Sequence, residues 1–224
     1  MFGAPHPVIA SASPFLPLPR RPLDAAGASG QVRRWYENEL GWPTVPGDPL
    51  RLVAGVRYDV LDVPAEAGHA ALRRLAPGSP VALHGDRMLF LVAAGSAEEL
   101  PGLLEWLDWG SLPLDLGAIG AGGLMAAPSR PAPREEGAPL GGASPPSGRP
   151  GRAGSQGAAV WLRPPEPGCE VEASLPTLSA LGADGNAPGL VRLVNTVATQ
   201  CHRVRLRRAG AQPPALRAQG RQCR

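Results

Sequence analysis

Proline and glycine are abundant but unevenly distributed along the chain, and this uneven distribution most constrains what the chain can fold into. Of 224 residues, 29 are Gly and 28 are Pro. Residues 1–29 are rich in Pro, Ala, Ser and Gly and show no hydrophobic periodicity. Residues 128–157 carry too few apolar side chains for burial to offset the entropy lost on ordering the backbone. We predict a disordered N-terminal segment (1–29), one folded domain (30–206) interrupted by a flexible insertion (128–157), and a basic tail (207–224).

The residues between these segments predict an α+β fold. Apolar residues recur at helical spacing in four places, which are 32–40, 64–78, 96–110 and 189–208. Extended apolar runs predict strands at 51–63, at 80–92 as a Gly-Asp hairpin, at 114–116, at 124–127 and at 158–165. Ser96, followed three residues later by Glu99, predicts a capping box. These elements predict a two-layer domain, with a mixed or antiparallel sheet and packed helices.

The distribution of charge says more than its total. The chain has 22 basic and 19 acidic side chains, yet no acid follows Asp184, while eight arginines lie between Arg192 and Arg224. Such a one-signed region can bind the phosphate groups of nucleic acid; the alternative is a solvated basic tail.

The three cysteines form no CxxC pair and no even set, which argues against a cysteine metal cluster and against a disulfide framework. The N-terminus lacks a basic region, and no apolar run approaches ~18 residues. We therefore expect a cytoplasmic protein without membrane partners.

Two carboxylates in "GVRYDVLDVP" raise the question of a metal site. Asp59 and Asp62 are three residues apart, so on a regular strand they face opposite ways. Position 64, which shares the face of Asp62, is Pro64. Asp62 is then either a metal ligand or the N-cap of the next helix. Asp115 in "LPLDLGAIGAGG", predicted within an apolar strand, needs a hydrogen bond or a cation; it either binds a divalent ion or caps the glycine turn.

Five motifs in a fixed order resemble a known family. They are "LGWPTVP", "VLDVP" before a helix, "VALHGDRMLFLV", "LDLGAIGAGGLMAAPS" and "AVWLRPP". Over roughly residues 31–127 and 157–165, the chain resembles the bifunctional DNA primase/polymerase N-terminal (prim-pol) domain of the archaeo-eukaryotic primase superfamily, as a degenerate member. The resemblance implies a prim-pol-like fold.

The resemblance also implies nucleotidyl transfer with two divalent metals, Mg²⁺ or Mn²⁺, held by three carboxylates. Carried over to this chain, Asp62 takes the first catalytic metal position and Asp115 the third. The second falls at Pro64, and a phosphate-contacting histidine falls at or near Met88. The nucleotide-binding candidates are Arg87, Gly122 and Gly123.

These departures remove groups that the reaction uses. His84 lies across the hairpin turn from Met88 and could substitute only if the register shifted. We therefore predict a prim-pol-like protein that binds nucleotide or single-stranded nucleic acid, with weak or lost nucleotidyl transfer. The alternative is a non-enzymatic regulatory or scaffolding protein that keeps the fold for protein–protein contact.

Overall fold

The computed structural model describes residues 28–75, 78–129, 158–166, 171–178 and 189–211. Residues 1–27 of the predicted disordered segment and nearly all of the predicted insertion lie outside these residues, as does the basic tail beyond residue 211. Residues 28 and 29 begin a helix, so the prediction of disorder is wrong for them.

The described elements are α+β, as the sequence predicted. The helices are α1 (Ala28–Arg34, continued by a π-helical turn at Trp35–Glu39), α2 (Ala65–Leu72), α3 (Ser96–Trp106) and α4 (Leu190–Ala211), with a 3-10 turn at Val171–Ser174. The strands are β1 (Thr44–Val45), β2 (Arg51–Val53), β3 (Tyr58–Pro64), β4 (Val81–His84), β5 (Arg87–Ala93), β6 (Gly117–Ile119), β7 (Leu124–Ala126) and β8 (Val160–Arg163).

The strands form two antiparallel sheets. The larger has the order β6-β3-β5-β4-β8 and the smaller the order β1-β2-β7. The prediction of one strand over 51–63 is therefore wrong, since β2 and β3 belong to different sheets. The turn between them needs Gly55, whose φ is +83° and whose added Cβ would lie 2.6 Å from the backbone nitrogen of Ala121. Only a residue without a side chain meets both conditions.

The larger sheet is covered on both faces. Alternation along each strand sends one set of apolar side chains to α2, α3 and α4, and the other set to the smaller sheet and the N-terminal helical segment. The helix-facing set includes Leu61, Val63, Met88, Phe90 and Val92. The opposite set includes Val60, Leu89 and Leu91, packed with Trp42, Leu52 and Met125. The smaller sheet is one layer more than the two that the sequence predicted.

Tyr36 ties together the two ends of the insertion. Its buried hydroxyl donates to the backbone oxygen of Pro128 at 2.7 Å and accepts from Nε1 of Trp161 at 3.0 Å. Beside it, the backbone nitrogen of Ser129 donates to the backbone oxygen of Ala159 at 3.1 Å. The chain therefore leaves the described core after β7 and returns to it before β8 at the same place.

Helix α4 buries the stripe that its spacing predicted, namely Leu190, Leu193, Val194, Val197 and Cys201. It extends to Ala211, so Arg207 and Arg208, which were predicted to begin the basic tail, are helical. Among the described residues, no helix combines the length and apolar character needed to cross a bilayer.

Candidate functional site

Asp62 and Arg87 meet on one face of the larger sheet. Strand β3 pairs with β5 so that Asp62 lies opposite Leu89 and Pro64 lies opposite Arg87. Asp62 and Arg87 are therefore diagonal neighbours, within reach of long side chains. Nε of Arg87 donates to Oδ1 of Asp62 at 2.7 Å, and Nη2 donates to the backbone oxygen of Asp62 at 3.1 Å.

Asp115 reaches the same guanidinium from a third segment. It lies in a bend before β6 rather than in a strand, so the prediction of a strand at 114–116 is wrong. Strand β6 pairs with β3, placing Gly117 opposite Asp62, and this brings Asp115 close. Nη1 of Arg87 donates to Oδ1 of Asp115 at 2.6 Å. Three of the predicted site residues therefore meet, with Arg87 bridging Asp62 and Asp115.

These contacts decide between the alternatives for the two aspartates. The N-cap of α2 is Pro64, without a side-chain cap hydrogen bond, while the Asp62 side chain bonds Arg87. The interpretation of Asp62 as a cap is therefore wrong. The glycine turn between β6 and β7 is closed by its own backbone, from Gly123 nitrogen to Gly120 oxygen at 2.9 Å, while the Asp115 carboxylate accepts from Arg87.

The cluster is strongest between Arg87 and Asp62. The Arg87 and Asp62 side chains are 26% and 29% exposed, whereas that of Asp115 is 57% exposed, so solvent weakens the second ion pair. Burial lowers the pKa of Arg87, but the hydrogen bonds to Asp115 and Asp62 raise it to a net value above its ordinary one. A permanent positive charge therefore lies against both carboxylates.

The donor set does not fit a two-metal site. Pro64 stands at the second ligand position and offers no side-chain oxygen. Met88 is buried on the helix-facing side of the sheet, away from Asp62. Among the described residues, no group of three or more His, Cys, Asp or Glu side chains could hold a metal ion. Two carboxylates that already share a guanidinium remain, and that guanidinium repels a divalent cation.

Asp59 serves a different purpose on the opposite face. The register of β3 with β5 is regular from Tyr58 to Pro64, so no bulge brings Asp59 to Asp62. Its Oδ2 accepts from the backbone nitrogen of Ala97 at 2.8 Å, in the first turn of α3. The capping box predicted for Ser96 is wrong, because Gly95 is the N-cap and lacks a side-chain cap hydrogen bond; Asp59 caps the helix from β3.

Asp59 is fully buried, and its Oδ1 has no hydrogen-bond partner among the described residues. Burial raises the pKa of Asp59 and nearby Glu98 adds to this, while the Ala97 amide acts in the opposite direction. The net shift is upward, so the charged form is disfavoured in the folded protein.

A cleft between the two sheets opens beside the Asp62–Arg87 pair. It has a volume of about 250 Å³, and its lining includes Arg51, Asp62, His84, Arg87 and Leu124. His84 lies directly opposite Arg87 in the hairpin, so the two share a face without the register shift that the sequence reasoning required. Arg51 was not predicted, because nothing in a three-residue strand shows which sheet it joins.

Gly122 and Gly123 do not line this cleft. Gly122 has φ +76° in the turn between β6 and β7, a conformation that favours glycine. At Gly123, an added Cβ would lie 3.0 Å from the backbone oxygen of Gly120 and would also contact Ile119. The turn alone accounts for both glycines.

A further buried group lies next to the cluster. The Cys201 thiol donates to the backbone oxygen of Asp115 at 3.7 Å. Burial and the Asp115 charge raise its pKa to about 12, so the thiol stays protonated and unreactive at neutral pH.

Comparison of the chain with protein-family models, with curated proteins and with solved structures found no match.

Proposed function

We propose that this protein is a prim-pol-like domain that binds single-stranded nucleic acid and has lost nucleotidyl transfer. The observation that carries the proposal is the position of Arg87, which donates to Asp62 at 2.7 Å and to Asp115 at 2.6 Å. These are the two carboxylates that the prim-pol resemblance assigns to metal.

Loss of transfer follows from the charges. The reaction implied by the resemblance uses two divalent cations, which clamp the attacking and leaving oxygens. The two aspartates would supply two negative charges against the roughly four positive charges of two divalent cations. The guanidinium of Arg87 already neutralises one of these two negative charges. With Pro64 at the second of the three ligand positions, the cluster supports a structural ion-pair network rather than a metal centre.

Binding of nucleic acid is supported by α4 and by the size of the cleft. The helix carries five arginines and no acid, and they are Arg192, Arg203, Arg205, Arg207 and Arg208. The cleft, at about 250 Å³, is smaller than the ~300–1,000 Å³ typical of sites that enclose a small molecule. This cleft is therefore too small to enclose a nucleotide, whereas the exposed arginines of α4 suit a phosphate chain held along the surface.

The test of transfer is a primer-extension and de novo priming assay on a single-stranded template. It uses the full chain with Mg²⁺ or Mn²⁺, and with dNTPs or NTPs. We expect no product, and the same protein should bind single-stranded DNA with an affinity that falls as salt rises. Product made by the wild-type protein and absent with both Asp62→Asn and Asp115→Asn would overturn the proposal that nucleotidyl transfer has been lost.

A metal titration tests Arg87 directly. We expect Mn²⁺ to leave the Tm of the wild-type protein unchanged, and to raise the Tm of Arg87→Gln, in which the two carboxylates face each other without the guanidinium. The substitution itself should cost about 1 kcal/mol or less, because both ion pairs are partly solvated. A wild-type Tm that rises with Mn²⁺, with the rise lost in Asp62→Asn, would show that Asp62 is a metal ligand.

A further inference from the structure

A groove between α2 and α4 gathers positive charge on the helical side of the larger sheet. It has a volume of about 480 Å³, and four of its lining residues are arginines, namely Arg73, Arg74, Arg203 and Arg207. The first two lie at the C-terminal end of α2 and the other two lie one turn apart on α4. Arg208 adjoins the groove through Glu66, with Nη2 3.8 Å from a Glu66 oxygen.

We infer that this groove binds the phosphate backbone of single-stranded nucleic acid. The inference rests on the proposed function and assigns its binding surface. The surface is separate from the Asp62–Arg87–Asp115 cluster, because none of the three cluster residues lines the groove and the groove shares no lining residue with the cleft.

Charge is the first argument. Glu66 interacts with two arginines of α4, with its oxygens 3.0 Å from Arg207 and 3.8 Å from Arg208, and a single carboxylate cannot neutralise them both. Arg73 and Arg203 add two more guanidinium groups to the same groove. A phosphate chain relieves the repulsion between like charges, and guanidinium groups match phosphate oxygens with paired hydrogen bonds.

The shape of the groove is the second argument. The groove lies where α2 and α4 meet, with Ala70 and Gln200 both in its lining and Glu66 beside Arg207. The small side chain of Ala70 leaves room between the two helices, and Leu206, 57% exposed, offers an apolar contact for a sugar or base. None of the described residues that line the groove is aromatic, so we expect contacts with the nucleic-acid backbone and little preference for base sequence.

The test is the binding of a fluorescein-labelled oligothymidylate by the full chain between about 50 and 200 mM salt, followed by anisotropy. Each phosphate contact contributes about 0.7 to the slope of log Kobs against log salt. Arg203→Gln should therefore lower the slope by about 0.7, and the double variant Arg73→Gln/Arg203→Gln by about 1.4. Arg192→Gln is the matched control, since Arg192 is an exposed arginine of the same helix outside the groove.

The outcomes separate the two proposals. Absence of oligonucleotide binding by the wild-type protein would contradict the proposed function itself. Binding that Arg203→Gln weakens no more than Arg192→Gln would overturn the groove alone. The groove would also be overturned if binding to vesicles containing phosphatidylserine depended on Arg73 and Arg203 while binding to the oligonucleotide did not. The groove would then bind a membrane surface. Thermal melting followed by circular dichroism confirms that each variant is folded.

Discussion

At the scale of single residues, the two aspartates of β3 show how one strand places identical side chains in opposite environments. Asp62 faces the cleft and shares Arg87 with Asp115, whereas Asp59 faces the helices and caps α3. Asp62 is held by a charged donor in a partly solvated place. Asp59 is buried and accepts from a backbone amide, so its charge is the less favourable of the two.

The raised pKa of Asp59 predicts how stability depends on pH. A carboxyl group whose pKa is higher in the folded state binds protons better when the protein is folded. Its contribution to stability therefore falls as pH rises from the ordinary pKa of 3.8 through the pKa of the folded state. Asp59→Asn removes the charge and keeps an acceptor for Ala97. We expect the free energy of unfolding of this variant, relative to wild type, to increase with pH over that window, as measured by urea denaturation.

Asp59→Ala separates the cap from the charge. It removes the acceptor as well, and should cost about 1 kcal/mol relative to Asp59→Asn at every pH. Equal stabilities of the two variants would show that the bond to Ala97 contributes nothing.

At the scale of elements, the packing of α2 on β5 depends on a glycine inside the helix. Gly68 is buried, and a Cβ added there would lie 2.8 Å from Cβ and 2.9 Å from Cγ of Met88. Glycine within a helix normally costs about 1 kcal/mol relative to alanine. Here glycine is needed because the backbone of α2 lies directly against β5 and leaves no space for a Cβ.

A matched pair of substitutions tests this close approach. Gly102 in α3 has nothing within 4 Å of an added Cβ, so Gly102→Ala should stabilise the protein by about 1 kcal/mol. Gly68→Ala should destabilise it, because Cβ of Met88 cannot move without its strand. Both are measured as midpoints of chemical denaturation. Stabilisation by both substitutions would mean that α2 can shift away from Met88 at little cost.

The elements that the sequence predicted correctly carry their own local signal. Helix α4 has a five-residue apolar stripe, and the hairpin of β4 and β5 has a Gly-Asp turn between apolar runs. The smaller sheet carries no such signal, since β1, β2 and β7 have two or three residues each and exist through pairing between distant segments. The bend at Asp115 was missed for a related reason. An apolar run that contains one acid predicts a strand, and only the fold shows that Asp115 lies in a bend and contacts Arg87.

At the scale of the whole molecule, the candidate site was named from the sequence but not assembled from it. Its side chains come from three segments, with Arg87 25 residues from Asp62 and 28 from Asp115. The prim-pol resemblance selected all three residues. Only the pairing of β3 with both β5 and β6 shows that Arg87 bridges the aspartates, and this bridge changes the expected site from a metal centre to an ion-pair network.

The insertion between β7 and β8 allows a test of the whole molecule. Its ends are held together by the Ser129–Ala159 backbone bond and by the hydroxyl of Tyr36, so the fold does not need a long connection. The composition of residues 130–157 predicts a flexible loop, whose closure costs more entropy than that of a short one. Replacing it with a Gly-Ser linker of about four residues shortens the loop by almost three doublings and should add about 1.5–2 kcal/mol of stability.

Chemical denaturation at a fixed pH measures this change, with the oligonucleotide assay run in parallel. We expect the shortened protein to bind the oligonucleotide with the wild-type salt slope, because the α2–α4 groove lies on the opposite side of the larger sheet from the smaller one. A loss of stability would show that residues 130–157 pack against the described core and contribute more than they cost. A lower salt slope together with the expected gain in stability would place the arginines of the insertion among the phosphate contacts, since the groove residues themselves are unaltered.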